Sequence, residues 1–433
     1  MKIEGIKSFI LIILVGLSLL LTFAIWSNQA DYDRMYDTNY INEVDIDLGG
    51  MELTTKDILQ PSHIIFKRND EFLSFVNPQD RETLYRDMQS WVLYDFKTGE
   101  SNGRPENKQF VEVIFPSPLP MEIIPSILTL NEENVMPDWS FQRIFISFIE
   151  DSNSLNVLFL SVDGRNQVEA IVDKSDKYDM LLSYFQGEHS DDLQKYLAIN
   201  QEENPIYLPK DEVEVNRVSL TTTMLEPEQL VNVLFTNPSL VSANIGEAYF
   251  TDGQRGMRLL ENGLAIEYTN PLQSNYDRIN VNELISQSLS SVNDHKGWMS
   301  SYYFESVDKT VNEILYRMYY NGYPVFDYAN ISPIIQQWRN KDLYQYYRPL
   351  FILNNSLGQY PIKLPSGEFV VNHLQNSRNY QLSNVEAIQI GYQLDESDVD
   401  SHSITLHPAW YIQYNGIWRK LDITESYSFK GGS

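Results

Sequence analysis

No cysteine occurs in the 433 residues. That excludes disulfides, thiolate metal ligands, a cysteine nucleophile and a lipid-modified N-terminal cysteine. Oxidising compartments often use disulfides, so a cysteine-free exported chain points to a bacterium with a single membrane. Glycine and proline are few, 20 and 19, and collagen-like or low-complexity readings fall away. Positive charge is scarce as well: 32 Lys and Arg stand against 59 Asp and Glu, a formal charge of -27. The basic residues are scattered, and a polyanion of this size repels nucleic acid. The acidity reads as a solubility device rather than a docking face.

Catalytic motifs are missing too. None of the six histidines, His63, His189, His295, His373, His402 and His407, pairs with a second histidine and a glutamate in a zincin helix. His402 and His407 share one hairpin region and read as surface residues. No G-x-S-x-G elbow and no phosphate-binding loop occurs. Ser306 to Lys309 spells S-x-x-K and Lys97-Thr98-Gly99 spells K-T-G. Their order is reversed, S-D-N is missing between them, and Ser306 falls in an expected strand, so both are coincidences. Asp45 to Gly49 hints at a calcium loop but lacks the third acidic ligand and the distal glutamate. The expectation is no catalytic residue, no metal and no cofactor.

One long hydrophobic run is present. Ser8 to Ala30 carries no charge, and Ser8 to Trp26 is almost continuously apolar. Nineteen helical residues span about 28 Å, matching a hydrocarbon core of roughly 30 Å. Lys2 and Lys7 precede the run, whereas Asp31, Asp33 and Asp37 follow it. This asymmetry puts the N-terminus in the cytoplasm and the bulk of the chain outside. The run is longer than a signal-peptide core and lacks a good A-x-A site, which favours an uncleaved single-pass anchor. Gly16, Ser18 and Thr22 gather on one side of the helix, where small and weakly polar groups admit a partner helix. Trp26 sits at the interface as an aromatic anchor.

Beyond the anchor, 42% hydrophobic residues and 28 tyrosines argue for packed structure. Strands are expected at Ser62–Lys67, Phe110–Phe115, Gln142–Ile149, Asn156–Val162 and Gln167–Val172, and in Gln142–Ile149 the residues Ile144, Ile146 and Phe148 share one face with period 2. Asp163-Gly164 supplies a hairpin turn between the last two strands. Helices are expected at Asp80–Phe96 and Asp176–Phe185, and the polar stretch Asn200–Asp211 reads as a linker. Then come a strand at Val213–Thr222, a helix from Pro227 to Phe235, and hairpin turns at Asp252-Gly253 and Asn262-Gly263. An amphipathic helix covers Val281–Val292, and strands run through Met299–Ser306 and Asn312–Tyr320.

Two segments 94 residues apart share a pattern. Asn321-Gly322 follows a helix (Val281–Val292) and a strand pair, and Asn415-Gly416 follows another helix (Gly367–Gln375) and strand pair. Asn-Gly between extended aromatic segments is a hairpin signal, and the shared order points to a duplicated unit. The expected class is α+β: an N-terminal transmembrane helix, then three extracytoplasmic domains of antiparallel sheets with packed helices, the last two related by an internal repeat. The expected boundaries are 1–7 cytoplasmic tip, 8–28 transmembrane helix, 29–204 first domain, 205–327 central domain and 328–425 C-terminal domain.

Several of these residues carry a resemblance that covers nearly the whole chain. The anchor ending in Ile25-Trp26, the run Tyr302-Tyr303-Phe304-Glu305, and Tyr316 through Phe326 with its Asn-Gly-Tyr-Pro-Val-Phe core resemble the YycH (WalH) family of low-GC Gram-positive bacteria. So do Leu406-His407-Pro408-Ala409-Trp410 and Tyr414-Asn415-Gly416-Ile417-Trp418. The resemblance implies three extracytoplasmic domains, the last two related. It also implies partners: a WalK (YycG) sensor histidine kinase controlling cell-wall metabolism, met through the membrane helix, and a similarly built YycI companion. The sign of regulation does not transfer. The competing reading is an extracytoplasmic enzyme or ligand-binding receptor, which requires a cleft with convergent polar groups.

Overall fold

Alternating apolar and polar residues build most of the chain into two large sheets in the computed structural model. It describes residues 47–132, 134–200, 204–244, 248–271, 277–395 and 403–423. The expected anchor, with Gly16, Ser18, Thr22 and Trp26, lies outside the described residues, as do Asp45 and His402. Among the described residues no helix is long and apolar enough to cross a membrane.

The first sheet is formed by β1 (His63–Arg68), β2 (Glu71–Phe75), β3 (Val92–Glu100), β4 (Gln109–Pro120) and β5 (Thr129–Leu130). It continues with β6 (Ser140–Ile149), β7 (Ser154–Ser161), β8 (Asn166–Val172), β9 (Leu193–Ile199) and β10 (Ile206–Pro209). Their order is β10-β9-β2-β1-β4-β6-β7-β8-β3-β5, and only β3–β5 is parallel. Ile64, Ile65 and Phe66 are buried in succession, so β1 is covered on both faces. Short helices α1 (Thr55–Ile58) and α3 (Ile124–Ile127) and longer α2 (Pro78–Met88) and α4 (Ser175–Gln186) accompany this sheet. Tyr178, Leu181 and Phe185 form the buried stripe of α4, and Phe148 meets Tyr178 and Phe185 edge-on, each at 5.2 Å.

Two expectations change here. The helix expected over Asp80–Phe96 ends at Met88, and Val92 onward is β3. The indole of Trp91 donates to Asp87 at 2.8 Å and folds back on the last helical turn, while Tyr94 pairs with Ile171 of β8. The supposed linker Asn200–Asp211 holds β10, whose four residues are all buried and which pairs antiparallel with β9. Proline at Pro209 is tolerated because β10 is an edge strand.

The second sheet begins with β11 (Val213–Met224), β12 (Ser242–Asn244), β13 (Tyr249–Thr251), β14 (Gly256–Leu260) and β15 (Ala265–Thr269). Next are β16 (Ser301–Asp308), β17 (Glu313–Tyr320), β18 (Tyr323–Phe326), β19 (Ile334–Arg339) and β20 (Asp342–Pro349). It closes with β21 (Phe351–Leu364), β22 (Val385–Asp395), β23 (Ser403–Tyr414) and β24 (Ile417–Lys420). Three helices, α5 (Pro227–Leu234), α6 (Val281–Asn293) and α7 (Gly367–Asn376), lie between its strands in sequence. Each of the two Asn-Gly segments has the order helix, hairpin, turn, short strand. They share one fourteen-stranded sheet, because β18 pairs parallel with β22 and β11 pairs with both β21 and β23.

The core of α6 follows its sequence stripe: Val281, Leu284, Ile285, Leu289 and Val292 are buried. A buried polar chain crosses beneath it. Ser288 donates to Gln336 at 2.6 Å and accepts from the Tyr316 hydroxyl at 2.9 Å.

Candidate functional site

The two Asn-Gly turns have the same backbone and different surroundings. Asn321 and Gly322 have φ of 48° and 76°, and Asn415 and Gly416 have 51° and 76°. Positive φ at both central positions is the hairpin geometry that Asn-Gly favours. The Asn415-Gly416 turn is open, with the Gly416 amide donating to Glu386 at 2.9 Å. The Asn321-Gly322 turn instead packs on the start of α2. Arg81 of α2 donates to the Gly322 carbonyl at 3.1 Å and to the Ser62 carbonyl at 2.6 Å, joining the two sheets.

Beside this contact a cleft of about 1200 Å³ opens between the sheets. One wall carries His63, Gln142, Arg143 and Tyr207, and the other carries Glu305, Tyr319, Glu386, Gln389, Gln413 and Trp418. A smaller recess of about 60 Å³ lies against Arg81 and Tyr323. His63 faces both spaces. Burial, and then the Arg81 and Arg143 cations, push its pKa down to about 3, so the ring is neutral at ordinary pH.

Glu112, fully buried on β4, organises the first wall. Arg104 meets it with both terminal nitrogens at 2.9 and 2.6 Å, Arg143 also pairs with its Oε1, and the Tyr207 hydroxyl donates to its Oε2 at 2.7 Å. Burial, and then the Glu112 charge, push the Tyr207 phenol pKa up. Glu305 on the second wall is held by Arg317 through two contacts, one of them at 2.9 Å. Arg317 lies over Phe326 at 4.7 Å, Phe326 stacks on Tyr411 at 4.1 Å, and Trp418 leans on Phe326 at 5.4 Å. These carboxylates are held by cations or backbone amides. Such a wall presents fixed charges to the cleft and joins the sheets rigidly.

The motif coincidences disperse. Ser306 lines this cleft, Lys309 lines a separate hollow with Glu122 and Arg278, and Lys97 to Gly99 lie on β3. Asp47 accepts from the Gly49 amide and pairs with Lys296 at 2.6 Å, and among the described residues no group of acids and histidines could hold a metal ion. Sequence reasoning passed over Arg81, Arg143 and Glu112. The available signal was Glu112 itself, a lone charge inside the apolar run Phe110–Phe115.

Residues 4–190 match the family model described as YycH protein, N-terminal domain, and residues 203–432 match YycH protein, C-terminal domain. The chain is 22% identical over 461 aligned positions to the "two-component system WalR/WalK regulatory protein YycH" of Bacillus subtilis (strain 168), covering 96% of each protein. It is similar in fold to the crystal structure of YycH from Bacillus subtilis, with a TM-score of 0.72, 18% identity, and coverage of 86% of this chain and 98% of that one.

Proposed function

The chain belongs to the YycH family, and on that premise we propose that it regulates a WalR/WalK-type two-component system as a non-catalytic, membrane-anchored protein. The observation that carries this reading is the match along 96% of its length to a protein named as a regulator of that system. In this reading the run within residues 8–28 is the anchor, and Gly16, Ser18, Thr22 and Trp26 form the side that meets helices of a WalK/YycG-type sensor kinase and a YycI-like companion. The bulk of the chain lies outside the cell and the output is cell-wall metabolism. The shared element order around Asn321-Gly322 and Asn415-Gly416 supports descent of the two segments from one duplicated unit.

A single-helix protein biases a kinase only by contacting its signalling states unequally. Replacing residues 8–28 by an unrelated apolar helix of equal length is expected to keep the protein in the membrane and abolish its effect on response-regulator phosphorylation. Undiminished control after the swap would overturn transmembrane coupling.

The cleft of about 1200 Å³ favours a second reading, a receptor for a small polar ligand. Filling it with Gln389→Trp then changes the output while leaving membrane association intact. An unchanged output removes the receptor reading.

A further inference from the structure

The seven residues that begin the described chain do not join the first sheet. Leu48, Gly50 and Met51 donate their amides to the carbonyls of His295, Lys296 and Trp298, each at 3.0 Å, and Met51 and Trp298 form an antiparallel bridge. Asn293, the last residue of α6, grips Leu53 from both directions. Its Oδ1 accepts from the Leu53 amide at 2.9 Å, and its Nδ2 donates to the Leu53 carbonyl at 2.8 Å. The same Oδ1 accepts from the Trp298 indole at 2.8 Å, and Asp47 adds its ion pair to Lys296.

Gly50 makes this fit possible. A β-carbon there would stand 2.5 Å from the Lys296 carbonyl oxygen and 2.6 Å from that of Trp298. Both are backbone atoms, so nothing can give way cheaply. Below the segment the chain is equally fixed. Trp298 is fully buried and meets Tyr316 edge-on at 5.0 Å, while Arg348, 2% exposed, donates to the Gly297 carbonyl at 3.0 Å.

We infer that residues Asp47–Leu53 are a coupling clamp that ties the membrane-proximal chain to the corner between α6 and β16. It rests on the anchored reading proposed above. A displacement of the chain before Asp47 is delivered to backbone groups of Asn293–Trp298. From there it reaches Tyr316 on β17, and the Asn321-Gly322 turn that joins β17 to β18 rests on α2. α6 and β16 also lie directly against β4 of the first sheet, so the displacement reaches both sheets from this corner. Asn293 is the positioning residue, because one side chain fixes Leu53 and Trp298 together.

The test uses the full-length protein in lipid nanodiscs and in cells. Hydrogen exchange is expected to show the amides of Leu48, Gly50, Met51 and Leu53 protected at least about 100-fold. Gly50→Val and the milder Asn293→Ala should each lose at least tenfold of that protection while the strands of both sheets keep theirs. In cells, the two variants should lose regulatory output as the helix swap does, and Gly99→Ala, at an open position on β3, should retain it. Exchange of these amides at unprotected rates in the wild type overturns the clamp. An opened clamp with full output overturns the coupling role. Sedimentation of the wild type with the soluble fraction would instead overturn the anchor itself, and with it the coupling.

Discussion

Gly322 lies so close to Pro78 that a β-carbon on the glycine would stand 2.6 Å from the proline's own. The turn that carries Gly322 belongs to the second sheet and Pro78 opens α2 beside the first, so the glycine lets the turn approach α2 this closely. Gly416, its counterpart 94 residues later, has nothing within 4 Å.

This pair gives a controlled comparison. Both glycines have φ of 76°, so alanine at either costs about 1–2 kcal/mol for left-handed backbone. At Gly322 the clash adds about 1–3 kcal/mol. Urea unfolding of Gly322→Ala and Gly416→Ala is expected to separate them by that second amount. Equal losses would mean that the Gly322 turn does not bear on Pro78 in solution.

Glu112, itself fully buried, holds two partly buried guanidinium groups and a phenol. Glu112→Gln leaves both arginines without their charge partner, and breaking a buried pair in this way costs about 3–5 kcal/mol. Adding Arg143→Met should recover part of the loss, because one uncompensated charge is then gone. A double-mutant cycle measures this, and strict additivity would remove the network from the account.

The buried chain under α6 predicts an asymmetry. Tyr316→Phe deletes one donor and leaves Ser288 bonded to Gln336, costing about 0.5–1.5 kcal/mol. Ser288→Ala strands both the Tyr316 hydroxyl and the Gln336 oxygen, at about 1–3 kcal/mol for each buried group. Denaturant midpoints should rank Ser288→Ala as the more damaging change.

His295, 5% exposed beside Arg348, has its pKa pushed down to about 3 by burial and then by the arginine. The unfolded chain, with a histidine pKa near 6.5, therefore binds this proton more tightly than the folded protein does. Stability is unaffected well above pH 6.5 and falls as pH descends from 6.5 toward 3. The slope reaches about 1.4 kcal/mol per pH unit. Compared with His295→Gln, the wild type should lose about 2 kcal/mol more between pH 7 and pH 5. Parallel pH profiles for the two proteins would show that His295 is not buried in its neutral form.

Local pattern was enough to place the longer helices and several of the strands. Residues 167–172, 213–222 and 281–292 alternate or repeat on one face, and the observed β8, β11 and α6 lie at Asn166–Val172, Val213–Met224 and Val281–Asn293. Asn-Gly at 321–322 and 415–416 dictates a turn through its own backbone preferences, and so those turns are legible from the chain. Where pattern misled, a strand partner made the decision. Tyr94 leaves the helical reading because β8 offers it a ladder, and Ile206–Pro209 becomes a strand because β9 does. β8 lies far along the chain from Tyr94, whereas β9 is the neighbouring strand, which the local pattern did not mark.

By itself, then, the sequence determined the α+β class, the turn chemistry and the exclusion of every cysteine-dependent function, since each depends on residue identity or short-range spacing. Only the tertiary structure decided that one of two identical turns is a joint and the other is free surface. It alone brought Glu112 to Arg143 and Tyr207, and Asp47 to Lys296 across 249 positions of chain. Contacts at such separation depend on how whole sheets pack, and no local preference encodes them.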